Sequence, residues 1–369
     1  MDGSKIFMRK NTKKILLKKN TKIYIYAPAK TFTGGPECLH QLAFYINKIF
    51  KVKTLIYYLP NEIKNPVHKN FKHYKINYTN IIEDQKDNIL IMPEHYSYLK
   101  AGLQYNNIKK IIWWLSVDNY FGFRFKHKNK KIIRSFFKIP YNIISTFNKF
   151  TNFYFGILTY HDYLKIIYKF LNLNKQKEIN QASFHFMQSY YAYDYLNEKL
   201  NNLYFLFDFQ NKKKIQSSKN NLRKENLICY SNKSNEFIQL LKNSSNEEFI
   251  ELKDFTSEQM INIFKKSKIY IDFGYHPGKD KMPREAVIFN NCIITNLKGS
   301  AQNKFDIPIY KNFKFEQKFN DLSRIKLLIN NFFKNYKKEI KKFKNYKKKV
   351  LNEEKEFKKQ LQQIFQIIK

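Results

Sequence analysis

Short apolar runs alternate with longer amphipathic stretches along most of the chain. Residues 22–26 read Lys-Ile-Tyr-Ile-Tyr and predict a first strand. Leu39, Leu42, Ala43, Ile46, Ile49 and Phe50 then recur at helical spacing. Further strands are predicted over 52–58, 88–92, 110–115, 183–187 and 204–207, with a helix from Gln188-Ser189-Tyr190 through Leu196 and Leu200. Residues 60–80 read as irregular and polar. The pattern restarts in the second half. Strands are predicted at 226–230, 247–251, 269–271, 292–295 and 307–309. Helices are marked by Phe237, Leu240 and Leu241, by Thr256 or Ser257 as a cap before Met260, Ile261 and Phe264, and by Pro283 at a first helical position. From Gln317 onward the chain reads as helical and increasingly basic. Such alternation of strands and helices predicts an α/β fold with parallel sheets.

A polar, lysine-rich stretch, 208–225, reads as a linker. It divides the chain into a first domain over 1–208, a second over 209–335, and a basic helical tail over 336–369. Residues 1–20 read as a loose basic leader.

Hydrophobic residues make up 43% of the chain and aromatic residues 17%, enough for true cores and unlike a disordered composition. The formal charge is +38, from 68 Lys and Arg against 30 Asp and Glu. That surplus favours phosphate-rich or anionic partners. Part of it follows from the joint abundance of Lys, Asn and Ile, so charge alone is discounted as a sign of nucleic-acid binding. Cys38, Cys229 and Cys292 are isolated thiols, which fits a reducing compartment and neither a zinc cluster nor a disulfide scaffold. No secretory signal and no bilayer-length apolar run is read, so a cytoplasmic protein is expected.

Parallel sheets bind ligands in the loops that leave the carboxyl ends of their strands. The first strand runs into Thr33-Gly34-Gly35-Pro36-Glu37. There a glycine pair permits close backbone approach to a ligand, or forms an ordinary tight turn. The third and fourth strands end at Glu94, His95, Ser116, Asp118 and Asn119. Asp118 is either a general base or a helix cap, and His95 reads as structural. The richest loop follows the strand at 269–271. It carries Gly274, His276, Gly278, Lys279, Lys281 and Arg284 before a helix, and these are anion contacts or a solvated basic loop. Residues 120–174 interleave aromatics with lysines, which suits an anionic membrane surface, single-stranded nucleic acid, or an aromatic core with a solvated face.

The stretch from Thr33 to Leu42, with Gly34-Gly35, resembles the N-terminal loop of GT-B glycosyltransferases. The stretch from Tyr270 through Gly274 to Pro283-Arg284-Glu285-Ala286 resembles their donor loop. More narrowly, both stretches and Trp113-Trp114-Leu115-Ser116-Val117-Asp118-Asn119 resemble bacterial transferases of surface-polysaccharide loci, of the capsule or lipooligosaccharide type. The resemblance implies two Rossmann-like domains facing a central cleft. It implies a nucleotide-sugar donor as co-substrate, no cofactor and no metal, and a glycan or lipid-linked glycan acceptor at the cytoplasmic membrane face. By position, Glu285 matches the acid that holds the donor ribose hydroxyls, and Lys233 matches the base that contacts the diphosphate. Lys279 and Arg284 share that role, and Gly34 and Gly35 match backbone facing the donor phosphate. Gly274 and Gly278 belong to the donor loop. Asp118 and His276 are the catalytic candidates. Many retaining members place a second Glu eight residues before the first. Here that position is Pro277, beside His276, and His276 either stands in for the acid, contacts phosphate or sugar, or is structural. Transfer of another nucleotide-activated group on the same fold, and a non-enzymatic nucleic-acid binder using 120–174, are the alternatives; nucleic acid is the partner least expected.

Overall fold

The computed structural model describes residues 13–121, 173–219, 222–234 and 236–368. Most of the aromatic and basic stretch at 120–174 lies outside the described residues. The chain divides into two compact units. The first includes 13–121, 173–208 and 354–368, and the second includes 209–353.

The first unit is built on a six-stranded parallel sheet. Its strands are β2 (Lys22–Pro28), β3 (Lys53–Leu59), β4 (Ile89–Pro93), β5 (Lys109–Trp114), β6 (Phe184–Met187) and β7 (Leu203–Phe205). Their order is β3-β2-β4-β5-β6-β7, with Ile23 paired to Thr54 on one side and Ile89 on the other. The interior strands are continuous apolar runs because both faces are covered. Trp113 and Trp114 are fully buried at the end of β5. The Trp113 indole N–H donates to the Leu206 carbonyl at 3.1 Å, and that of Trp114 donates to His185 Nδ1 at 3.3 Å.

Two expectations for this unit are corrected. The leader read as loose over 1–20 contains β1 (Ile15–Leu17), which pairs in parallel with β13 (Phe365–Ile367). Ile15 and Leu17 are buried and Leu16 is exposed, a period-two pattern that needed a partner from the far end of the chain. The glycine pair is not a loop before the helix. Helix α1 (Gly34–Phe50) already begins at Gly34 with Thr33 at its N-cap. Pro36 is therefore its third residue, where a missing N–H still costs nothing because the first turn has no intrahelical acceptors.

The second unit holds a five-stranded parallel sheet. Its strands are β8 (Glu225–Ser231), β9 (Glu248–Leu252), β10 (Ser267–Asp272), β11 (Cys292–Asn296) and β12 (Lys314–Phe315), in the order β12-β11-β10-β8-β9. Thr256 caps the helix Ser257–Lys266 in a reciprocal box with Gln259, as expected, an arrangement worth about 1 kcal/mol. Three expectations change here. The stretch 307–309 is not a strand, since Pro308 cannot donate to a ladder, and the last strand is β12. The helix expected to open at Pro283, α2 (Lys281–Ile288), opens two residues earlier with Asp280 at its N-cap. The presumed linker carries a short helix, Lys212–Ser217, capped by the Asn211 side chain.

Candidate functional site

The second sheet reverses its order between β8 and β10, so the loops leaving these neighbours run apart. In open α/β sheets that point forms the ligand crevice at the carboxyl ends of the strands. β8 ends at Ser231 and leads into Lys233; β10 ends at Asp272 and leads into Gly274. The two exits nearly touch. A Cβ on Gly274 would lie 2.6 Å from Lys233 Cβ and 3.0 Å from the Lys233 carbonyl oxygen. Only glycine lets these backbones come so close.

The loop from Asp272 to Asp280 is tied down at nearly every step. Asp272 accepts from the Tyr270 hydroxyl at 2.6 Å and from the Gly274 N–H at 3.1 Å. Asn296, wholly buried, donates to the Gly274 carbonyl at 2.8 Å. Ser300 donates its hydroxyl to the Gly278 carbonyl at 2.6 Å and its N–H to the His276 carbonyl at 2.8 Å. Gly299 adopts φ +59, and a Cβ there would sit 1.9 Å from the His276 carbonyl oxygen. The turn after β11 therefore packs flat on the loop.

His276 is completely buried between two acids. Its Nδ1 lies 3.1 Å from Asp280 Oδ2 and its Nε2 lies 3.6 Å from Asp272 Oδ1. Burial alone disfavours the imidazolium, but the charge of Asp272 and the contact with Asp280 outweigh it and raise the His276 pKa. Burial likewise opposes the Asp280 carboxylate, yet His276, Lys233 and Arg284 hold its pKa below the ordinary value. Asp272, His276 and Asp280 offer one ligand atom each within 4.8 Å of one another, and among the described residues are the group that could hold a metal ion.

The other predicted residues of this loop divide into two sets. Lys279 and Arg284 are buried, and both pair with Glu353, at 2.8 and 2.9 Å. Arg284 also donates to the carbonyls of Lys279 at 2.9 Å and Asp280 at 3.1 Å, closing the start of α2. These two cations thus brace the loop from behind. Lys233 differs: its side chain is 57% exposed and its Nζ stands 3.8 Å from Asp280. Glu285 is buried in α2, and Lys214 from the helix Lys212–Ser217 reaches it at 2.5 Å.

Gly34, Gly35 and Asp118 lie in the first unit. Its sheet reverses between β2 and β4, and Gly34 and Gly35 form the first turn of α1 just past the end of β2. β4 ends one residue before Glu94. The Glu94 carboxylate accepts the Leu115 N–H at 3.0 Å, and Leu115 Cδ1 is 3.8 Å from where a Gly35 Cβ would be. Burial pushes the Glu94 pKa up to about 7 against the N–H donors around it. Ser116, not Asp118, takes the capping position, accepting the Asn119 N–H at 3.4 Å. Asp118 is buried and accepts from the Tyr191 hydroxyl at 3.0 Å. His95 sits at the N-cap of the helix Tyr96–Ala101, with Ser97 Oγ 2.7 Å from its Nδ1.

Several contributors were not singled out from the sequence. Asp272 and Asp280 stood in the loop without an assigned role, and Glu353 lay in the presumed tail. Gly299-Ser300 after a strand was the one visible signal for the packed turn. Nothing in the sequence linked Lys214 to Glu285.

No protein-family model matches the chain, and no curated protein does. Solved structures do. HepE of Anabaena in complex with UDP superposes with a TM-score of 0.53 at 8% identity, covering 93% of this chain and 99% of HepE. Sucrose-phosphate synthase from Thermosynechococcus elongatus gives 0.50 at 9% identity, covering 94% and 95%. TarM gives 0.47 at 15% identity, and this chain spans 56% of its length. The fold shared with HepE and sucrose-phosphate synthase is the GT-B fold of glycosyltransferases.

Proposed function

We propose that this chain is a glycosyltransferase that takes its sugar from a nucleotide-sugar donor held by the second unit. The observation that carries the reading is the switch point between β8 and β10, where Gly274 abuts Lys233 at the start of a braced loop. Transfer leaves negative charge on the departing nucleoside diphosphate. A cation placed at this point stabilises that charge. Lys233 supplies the mobile cation, and the Asp272–His276–Asp280 cluster holds the loop's shape. In this reading the two carboxylates pair with His276, and no metal takes part in transfer. Glu285 accepts from ribose hydroxyls once Lys214 yields, since a carboxylate can accept from both. HepE in complex with UDP and with UDP-glucose makes a uridine nucleotide the first donor to try.

The acceptor in this reading is a surface glycan of the capsule or lipooligosaccharide class, met at the cytoplasmic face of the membrane and bound by the first unit. Among the described residues no helix is long and apolar enough to cross a membrane. The test is thermal protection by nucleoside diphosphates. UDP should raise the melting temperature of the wild type. Lys233→Ala, Glu285→Ala and Gly274→Ala should each abolish that rise while leaving the ligand-free transition cooperative. Undiminished protection in all three would remove the donor site from this loop. Sugar transfer is then read from the product mass with UDP-glucose, which also separates it from transfer of another activated group.

A further inference from the structure

We infer that a basic pocket in the first unit binds an anionic glycan, making the acceptor an acidic or phosphorylated sugar chain. The pocket has a volume of about 760 Å³, within the ordinary range of small-molecule sites. It is lined by His40 of α1, by Tyr58 of β3, and by the segment between β3 and β4. The lining part of that segment falls within the stretch 60–80, which holds four lysines and two histidines against one carboxylate, Glu62; the acids Glu83, Asp84 and Asp87 follow it, outside the lining.

Its geometry separates charge from packing. The 3₁₀ helix Lys69–Tyr74 has three residues per turn, so positions three apart align on one edge. Phe71 and Tyr74 form the inner edge. Phe71 stacks on His40 with ring centroids 4.2 Å apart, and Tyr74 lies 5.8 Å from Phe44. Lys69 and Lys72 form another edge, and Lys75 follows at the C-cap with φ +50; all three are exposed and line the pocket. Among the described residues none of these three amines has an acidic partner within ion-pair distance. The floor is fixed and neutral. His40 Nδ1 donates to the Pro36 carbonyl at 2.7 Å, and its Nε2 accepts from the Tyr58 hydroxyl at 2.7 Å. Tyr78, 45% exposed, lines the wall, its ring T-shaped against Tyr58 with centroids 5.9 Å apart. Three unpaired cations beside aromatic faces suit a ligand with several negative charges on a ring-bearing scaffold. Pro36 and His40 share α1 with Gly34 and Gly35, so the pocket floor and the glycine turn belong to one rigid helix.

Naming the ligand the acceptor rests on the transferase reading; the binding itself does not. The test titrates the full chain with an oligogalacturonate tetramer, with maltotetraose, and with inorganic phosphate, by calorimetry. The acidic tetramer should bind at least ~10-fold tighter than maltotetraose, and the preference should shrink as salt rises and screens the exposed amines. The variant Lys69→Gln/Lys72→Gln/Lys75→Gln should lose at least ~10-fold in that affinity. Tyr78→Ala should weaken the tetramer and leave phosphate unchanged. UDP protection should survive in both variants, so loss of UDP binding alone would indict the donor site and not this pocket. Equal binding of acidic and neutral tetramers, an unaffected triple variant, or phosphate binding as tight as the tetramer would each overturn the inference. So would a single-stranded oligonucleotide or an anionic vesicle that displaces the tetramer and binds more tightly.

Discussion

Glu94 shows how one buried carboxylate ties stability to pH. Its folded pKa is about 7, against 4.5 for an ordinary glutamate, and burial is the main cause. The folded state therefore keeps a proton that the unfolded chain gives up near 4.5. Stability is full below that value and falls as pH rises to about 7, by ~3 kcal/mol for this group. His40 and His185 act in the opposite sense. Burial holds each near 4 against 6.5, so they remove stability as pH falls from 6.5. Comparing Glu94→Gln with wild type isolates the first effect. The difference in unfolding free energy should be small at about pH 4 and favour the variant by ~3 kcal/mol at about pH 8. A pH-independent difference would mean that Glu94 ionises freely when folded. The sequence placed Glu94 at a strand exit but could not show its burial, nor that the Leu115 N–H would reach its carboxylate.

Elements came through the sequence where their pattern is local. The capping box at Thr256 and Gln259 lies within four residues and was legible. So were β2, β4, β5 and β11, whose apolar runs need no distant information. Helix α2 was legible as a helix, but not what holds its start. Arg284 and Lys279 converge on Glu353, about seventy residues along the chain, so the braces read as free anion contacts. This cluster gives an element-scale prediction. Glu353→Ala leaves two buried cations without their acid, and removing one partner of a buried ion pair costs ~3–5 kcal/mol. Denaturant unfolding should show that loss, and UDP protection should fall with it, because the carbonyls of Lys279 and Asp280 lose their anchor. A loss under ~1 kcal/mol would show that water replaces the carboxylate at little cost.

At the scale of the molecule, each unit owns a parallel sheet and a core, but the chain does not divide at one point. Residues 354–368 return to the first unit and end in β13 beside β1. Ending the chain at Ile364 should leave Ile15 and Leu17 unpaired. Hydrogen exchange should then quicken in 13–17 and in β2 to β5, with β8 to β11 unchanged. Unaltered exchange throughout would mean that the β1–β13 pair contributes nothing to the first unit.

The sequence by itself determined the α/β class, most strands, the cap at Thr256 and the strand-exit loops where chemistry gathers. These follow from periodicity, from turn residues, and from backbone limits on glycine and proline, all of which act over a few neighbours. Only the tertiary structure decided which cations in those loops remain available. It buried Lys279 and Arg284 against Glu353, left Lys233 exposed, clamped His276 between Asp272 and Asp280, and gathered Lys69, Lys72 and Lys75 around a pocket. The physical reason is that the charge a side chain presents depends on its partner and its exposure. Both are fixed by residues that the fold brings together from distant parts of the chain.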